Sequence, residues 1–186
     1  MNKKLLAALS GAALLLALSG CSSDNSNKKL DAWAKTVCDQ ASAQTKKIND
    51  ANTAITKVDK NGKPADVKAA DSAAFQQISD AYKSLADIVS KAGAPPVDKG
   101  ADQQKNSIAD LTKASAAYAA VKSKVDGLDA GDQAKFADGL TAASVEADKA
   151  NKTAEAALNT LRNGDVGKAM SSQQGCQQTG ASPSKT

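Results

Sequence analysis

The most regular feature of the sequence is an apolar or small residue that recurs at alternating spacings of four and three from Leu30 onward. This heptad spacing places the residues on one face of an α-helix, and Gln44 interrupts the face. Its members are Leu30, Ala34, Val37, Ala41, Ile48, Ala51, Ile55 and Val58. The pattern predicts a long first helix that buries this face and stops near Asn61-Gly62, because glycine permits the left-handed conformation that ends many helices.

A second helix is predicted after this stop. Pro64 suits a first helical turn, where its missing N–H costs nothing, and the apolar pattern continues as far as Ala92. An alternative start is Asp71-Ser72, since Asp71 falls on the apolar face and can cap a helix. The apolar positions of this helix are Val67, Ala74, Phe75, Ile78, Ala81, Tyr82, Leu85, Ile88 and Val89.

Two more helices follow a clear break in the pattern. The Gly93–Pro96 segment contains two prolines and cannot continue a helix. Asp98 is the predicted cap of a third helix, which ends at Gly127, and Asp129 is the predicted cap of a fourth. Asn163-Gly164 ends the fourth helix.

These four segments predict an all-α protein. Each is about 25–34 residues, or roughly 40–50 Å long, and short connections make sequence neighbours antiparallel. The expected fold is therefore an up-down-up-down antiparallel four-helix bundle over residues 30–176, with one disulfide and a disordered tail over 177–186. A pair of long helical hairpins, loosely packed or dimerised, is the alternative. Abundant alanine predicts close helix packing and a thin core.

The N-terminus carries an export pattern. Lys3 and Lys4 form a basic pair, residues 5–18 are apolar, and residues 18–21 read Leu-Ser-Gly-Cys. The apolar run is too short for an ordinary transmembrane helix. The tetrapeptide is similar to the lipobox of bacterial lipoproteins, so residues 1–20 are predicted to be a lipoprotein signal peptide.

The lipobox resemblance implies that Cys21 becomes the mature N-terminus and that its thiol receives a diacylglycerol, with palmitate among the expected acyl chains. Two acyl chains anchor a protein stably, whereas one does not. The expected location is the extracytoplasmic face of the cell membrane, with residues 21–29 as a flexible polar tether. A plain secretory signal with an incidental cysteine is the alternative.

The other two cysteines are Cys38 and Cys176, which lie 138 positions apart. An even number of thiols in an exported protein predicts a disulfide; a redox pair is the alternative, although no C-x-x-C motif is present. In the predicted bundle, residues 165–176 must turn back along the outside of the first helix to bring the two cysteines together. This segment is expected to cap the membrane-proximal end near Trp33, Val89, Ile108 and Leu161.

Composition narrows the chemistry. The chain contains no histidine, which excludes Ser–His catalysis and His-bearing metal sites. Its net charge is +4, and two of the positive charges, those of Lys3 and Lys4, are removed with the signal peptide. Arg162 is the single arginine. Nucleic-acid binding is therefore not expected. No catalytic, cofactor-binding or metal-binding residue is predicted, and the protein is not expected to be an enzyme.

Tyr82 and Tyr118 are the remaining candidate site residues. They fall on the second and third helices, within one or two turns of each other in the folded hairpin. Buried tyrosines need partners for their hydroxyl groups, so a position in the core is one interpretation. A cleft between the second and third helices for a small apolar or aromatic ligand is the other.

Several segments together resemble one family. Residues 30–38, 92–97, 132–139 and 175–176, behind a lipobox, are similar to small secreted lipoproteins of actinobacteria such as Streptomyces. The resemblance covers nearly the whole mature chain and implies a membrane-anchored extracytoplasmic protein without a known activity. The expected function is non-enzymatic binding of an envelope protein or cell-wall component; a small-ligand sensor is the alternative.

Overall fold

The computed structural model describes residues 21–59 and 62–177. Within these ranges the chain forms six helices and no strand: α1 (Cys21–Lys57), α2 (Pro64–Ala92), α3 (Gly100–Asp126), α4 (Gln133–Leu161), α5 (Gly164–Ser171) and α6 (Gln174–Gln177). The predicted signal peptide over 1–20 and all but the first residue of the predicted tail lie outside the described residues.

The four long helices pack in chain order. α1 lies against α2, α2 against α3 and α3 against α4, and short connections make each pair antiparallel. This arrangement confirms the predicted helical bundle. α2 spans 29 residues, so the bundle is a rod about 44 Å long at 1.5 Å per residue.

The core follows the predicted heptad faces. On α1, Leu30, Ala34, Val37 and Ala41 are buried, whereas Ile48 and Ile55 nearer the other end are only half-buried. On α4 the buried face is mostly alanine, at positions 143, 150, 154 and 157. Alanine at these positions lets helices approach closely but buries little apolar area. Large apolar side chains are buried at both ends of the bundle: Val89 and Leu161 lie near the start of α1, and Val67, Val125 and Phe136 lie at the opposite end.

The helix starts differ in part from the predictions. α2 begins at Pro64 and runs unbroken through Asp71, so the alternative start was wrong. The residue that precedes α3 is Lys99, in the left-handed conformation with φ 58°, rather than Asp98. The reason is the tight turn after the prolines: the Gly100 N–H donates to the carbonyl of Val97 at 3.0 Å, which leaves Asp98 outside the helix.

The cap of α4 is also shifted. Asp132 accepts a hydrogen bond from the Lys135 N–H at 3.1 Å and is the true N-cap. Asp129, the predicted cap, instead accepts from the Gly131 N–H at 2.9 Å and closes a turn before the helix. An aspartate side chain can accept a hydrogen bond from the N–H two residues later and close a turn, or it can cap a helix. Because Asp129 and Asp132 lie three positions apart, the sequence did not show which of them caps α4.

The predicted tether over residues 21–29 is not structureless. α1 begins at Cys21, so these residues form its first turns. Once a helix is nucleated, each added residue contributes a further hydrogen bond at little cost, and none of these positions is a proline. Residues 25–29 in these turns are exposed, which agrees with their polar sequence.

Ser107 is a polar residue inside the α3 core face. It is fully buried, and its Oγ has no hydrogen-bond partner. We expect Ser107→Ala to raise the free energy of unfolding by about 1–2 kcal/mol, because it removes an unsatisfied hydroxyl and improves helix propensity. Urea denaturation followed by circular dichroism measures the change.

The matched control for this prediction is Ser79→Ala. The Ser79 Oγ is also buried but donates to the Ser115 carbonyl at 2.9 Å, so its removal is expected to lower the free energy of unfolding by about 0.5–1 kcal/mol. Equal effects at the two serines would contradict the account.

Candidate functional site

Two cysteines of the helical bundle form a disulfide that joins α1 to α6. Cys38 and Cys176 are bonded with a Cα–Cα distance of 5.0 Å, as the sequence predicted. The Cys38 side chain is fully buried, and its Sγ lies 3.8 Å from the Met170 carbonyl oxygen. Because α5 and α6 have only eight and four residues, they are too short to be stable helices alone and depend on this attachment to α1.

The segment from α5 to α6 covers the end of the bundle where α1 begins. Val166, Ala169 and Met170 are buried in the same apolar cluster as Trp33 and Leu161. The Trp33 Nε1 donates to the Gly93 carbonyl at 2.9 Å, which joins α1 to the end of α2. This placement confirms the expectation that residues 165–176 turn back along α1. We call this end of the rod the proximal end.

Gly175 packs against the backbone of α1 at Cys38. A Cβ at this position would lie 2.5 Å from the Cys38 carbonyl oxygen, a backbone atom that cannot move aside. We expect Gly175→Ala to destabilise the protein by about 1–3 kcal/mol, as overpacking does. Thermal unfolding by circular dichroism measures the loss.

Gly127→Ala is the control for Gly175→Ala. At Gly127 the nearest atom to an added Cβ is the Lys124 carbonyl oxygen, at 3.5 Å, and φ is an ordinary −80°. A neutral effect, or a gain of up to about 1 kcal/mol, is expected there. A Gly175→Ala protein as stable as the Gly127→Ala protein would show that α6 does not pack tightly on α1.

Tyr82 and Tyr118 are in direct contact, closer than the predicted separation of one or two turns. Their rings are parallel, at a centroid distance of 5.6 Å, and Phe75 extends the stack at 6.4 Å from Tyr118. Both tyrosines are almost fully buried, and the Tyr118 hydroxyl donates to Asn151 Oδ1 on α4. Core tyrosines are expected to look like this. The rings themselves occupy the space between α2 and α3 at this level. A ligand cleft beside Tyr82 and Tyr118 therefore stays a prediction.

Burial changes the acidity of the tyrosine pair. It raises the pKa of Tyr82 from 10.0 to about 12, a shift that the Arg162 charge opposes and the Glu155 charge assists. Burial also raises the pKa of Tyr118, and Tyr82 and Glu155 add to the shift. Each tyrosine has a higher pKa in the folded protein than in the unfolded chain. Its contribution to the free energy of unfolding is therefore complete below pH 10 and is lost as the pH rises through the folded-state pKa.

The chain contains two tyrosines in all, so its phenolate absorbance reports this pair alone. We expect the folded protein to ionise at about pH 12 or above and the urea-unfolded chain at about pH 10. Ultraviolet titration, with circular dichroism at each pH to confirm that the fold persists, measures both. Ionisation of both groups near pH 10 in a folded protein would contradict the buried stack.

A shallow groove runs between α2 and α3 at the opposite, distal end of the rod. Its volume is about 550 Å³, and it is lined by Ala65, Lys68, Ala69, Ser72, Ala73, Gln76, Lys122, Asp126 and Ala130. The Asp126 carboxylate accepts hydrogen bonds from Lys122 and Ser72, which hold its pKa below the usual value. The groove thus has an alanine wall on α2 and a fixed ionic pair on α3. The sequence pattern did not predict this groove.

A second concavity lies at the proximal end. Its volume is about 330 Å³, and it is formed by the first turns of α1, the turn between α2 and α3, and the turn between α4 and α5. Neither this concavity nor the distal groove is lined by a tyrosine. The two concave surfaces and the tyrosine stack are therefore separate features.

The remaining surface is polar and well solvated. Most of the ion pairs described join a lysine to an acidic residue three or four positions away on the same helix, with both side chains exposed. Such pairs contribute little to stability. Val145 on α4 is the one large apolar side chain exposed in the described ranges. In those same ranges, none of the helices combines the length and apolar character needed to cross a membrane.

Comparison of the chain with protein-family models, curated proteins and solved structures found no match. The resemblance to actinobacterial lipoproteins therefore rests on the sequence segments alone.

Proposed function

We propose that this protein is a lipid-anchored extracytoplasmic lipoprotein that binds another component of the cell envelope and catalyses no reaction. The observation that carries the proposal is the order of the first residues: a basic pair, an apolar run and Leu-Ser-Gly before Cys21. Diacylglycerol on Cys21 would provide the two chains that stable anchoring requires.

The arrangement of the body supports the proposal. α1 begins at Cys21, so an anchored protein would hold its proximal end toward the bilayer and its distal groove farther away along the rod. A disulfide closes the body, as suits an exported protein. The absence of histidine from the chain supports a binding role over the commonest forms of acid–base catalysis.

The distal groove is the surface that best suits a binding partner. Ala65, Ala69 and Ala73 are exposed and recur every four residues, so they line one face of α2. Small side chains on a helix face allow another helix to approach closely. The ionic pair of Lys122 and Asp126 borders this face and offers polar contacts to a partner at the rim.

The test is covalent crosslinking in intact cells, followed by identification of the partners of the anchored full chain. Enrichment of one specific envelope component by the wild-type protein is expected. Ala69→Glu, in the groove, should abolish the enrichment, whereas Ala137→Glu, at an exposed position on α4, should not. Equal recovery by all three proteins would contradict a role for the groove, and no specific partner would contradict the function.

The small-ligand alternative keeps one supporting observation. The larger concavity does lie between α2 and α3, where a cleft was predicted, although alanine lines it in place of tyrosine. A thermal shift with small apolar ligands that disappears in Ala69→Glu protein would favour this alternative. A shift that persists in Ala69→Glu protein and disappears in Tyr82→Ala protein would instead favour the predicted cleft beside the tyrosines.

A further inference from the structure

We propose that Asn163 is a site of spontaneous deamidation through the main-chain nitrogen of Gly164, at the joint between α4 and α5. The modification is independent of the proposed function and needs no enzyme. Its products are aspartate and isoaspartate at position 163. The joint is where the chain turns back to place Cys176 beside Cys38, so the modification acts on the segment that closes the proximal end.

The reaction is an intramolecular attack. The Gly164 main-chain nitrogen loses its proton and attacks Cγ of Asn163; the bond from Cγ to the side-chain nitrogen breaks, and ammonia leaves. The result is a five-membered succinimide. Water then opens either of its two carbonyl–nitrogen bonds. One opening gives aspartate, and the other gives isoaspartate, in which the main chain runs through Cβ and Cγ.

The local geometry leaves both reacting groups free. Asn163 precedes α5 with extended backbone angles (φ −83°, ψ 149°), and its side chain makes no capping hydrogen bond. The Gly164 N–H is the first of α5, so it has no acceptor within the helix. Both residues are exposed. Gly164 has φ 63° and no atom within 4 Å of a Cβ position, so no side chain crowds the attacking nitrogen. Turning the peptide into the attacking orientation breaks one hydrogen bond, which the Gly167 N–H donates to the Asn163 carbonyl.

The other described asparagines lack this freedom. Each lies inside a long helix, where the main-chain N–H of the following residue donates to the helical hydrogen-bond pattern. The side chain of Asn151 also accepts a hydrogen bond from the Tyr118 hydroxyl. They are Asn25, Asn27, Asn49, Asn52, Asn106, Asn151 and Asn159. These helices must open locally before the same attack can occur. The second Asn-Gly pair, at 61–62, falls partly outside the described residues.

Isoaspartate at this position would disturb the joint. The Gly167 N–H donates to the Asn163 carbonyl at 3.2 Å, and a Cβ on Gly167 would lie 1.7 Å from the Arg162 carbonyl oxygen. A backbone this close has no room for the additional main-chain carbon of isoaspartate. α5 would shift, and with it Val166 and Met170, which are buried against α1. Aspartate adds only a charge at a helix N-terminus, where anions are favoured.

The test is tryptic peptide mapping of the full-length protein after incubation at mildly alkaline pH. Cleavage after Arg162 and Lys168 isolates residues 163–168, and the preceding peptide, 153–162, contains Asn159. In the folded protein, Asn163 is expected to convert at least about tenfold faster than Asn159, because glycine does not hinder the attack as Thr160 does and because α4 must first open at Asn159. The ratio of the two rates should fall when the same chain is incubated in urea, where the helix no longer protects Asn159. Asn163→Gln should not convert, since its longer side chain disfavours the ring. Equal rates at Asn163 and Asn159 would overturn the proposal.

A second measurement separates the two products. The isoaspartyl fraction, detected with a protein isoaspartyl methyltransferase and isolated by ion exchange, is expected to melt at a lower temperature and to show red-shifted Trp33 fluorescence. Asn163→Asp supplies the charge without the added main-chain carbon and should melt like the unmodified protein. If the isoaspartyl fraction also melts like the unmodified protein, the proposed effect on the joint is wrong.

Discussion

Replacing both Cys38 and Cys176 with alanine is expected to lower the free energy of unfolding by about 4–5 kcal/mol. The disulfide closes a loop of 138 residues, and a crosslink of this length removes much of the chain entropy of the unfolded state. For a protein of this size, a loss of this magnitude lowers the melting temperature on the order of 10–20 °C. The loss matters because the alanine-rich core buries little apolar area to compensate.

The measurement is calorimetry of the wild-type and double-alanine proteins, each with and without a dithiol reductant. Reductant should destabilise the wild type and leave the variant unchanged. Because Trp33 is the single tryptophan and lies under α5 and α6, its emission should move to longer wavelength when the disulfide is lost. A melting temperature that is the same in all four samples would show that packing alone holds α6 on α1.

Tyr118→Ala is expected to destabilise the protein by about 3–5 kcal/mol, the range for truncating a large buried aromatic side chain. Tyr118 is 2% exposed and stacks on Phe75 and Tyr82. Its removal would leave a cavity at the centre of the α2–α3 interface, where the small neighbouring alanines cannot fill the space. Urea denaturation with circular dichroism measures the loss.

Tyr118→Phe separates the ring from the hydroxyl. It keeps the stack and removes only the hydrogen bond to Asn151, so a loss of about 1 kcal/mol is expected. Asn151 is exposed, and water can replace the lost donor. If Tyr118→Phe were as damaging as Tyr118→Ala, the hydroxyl rather than the ring would hold α3 to α4.

The helices could be predicted because their signals are repeated many times. The face that begins at Leu30 extends over eight turns, and Pro64 and the Gly93–Pro96 segment stop or start helices whatever the tertiary context. The pairing of Cys38 with Cys176 then fixed how the chain must return after α4. The apolar face of the first helix depends on many residues at once, so its single interruption at Gln44 did not change the predicted helix.

The helix ends were harder to predict because each depends on one or two hydrogen bonds. Asp98 and Asp129 carry good capping side chains, but the turn around Gly100 and the turn closed on Gly131 move the helix starts beyond them. The polar residues 21–29 were interpreted as a tether because sequence polarity does not distinguish an exposed helix from a flexible segment.

The candidate site was predicted only in part. The contact of Tyr82 with Tyr118 follows from their heptad positions on adjacent antiparallel helices. The distal groove was missed, although Ala65, Ala69 and Ala73 recur every four residues on α2. Alanine suits both an exposed and a buried helix face, so only the packing of α3 against α2 could show that these three residues line an open groove.

The mass of the N-terminus of the protein extracted from cell membranes shows directly whether Cys21 carries a lipid anchor. We expect a chain that begins at Cys21, carries a diacylglycerol on that residue and partitions into detergent. We expect a Cys21→Ala protein to keep residues 1–20 or to be released from the membrane. An unmodified Cys21 thiol on the wild-type chain, or a mature N-terminus at another residue, would contradict the lipid anchor and with it the proposed function.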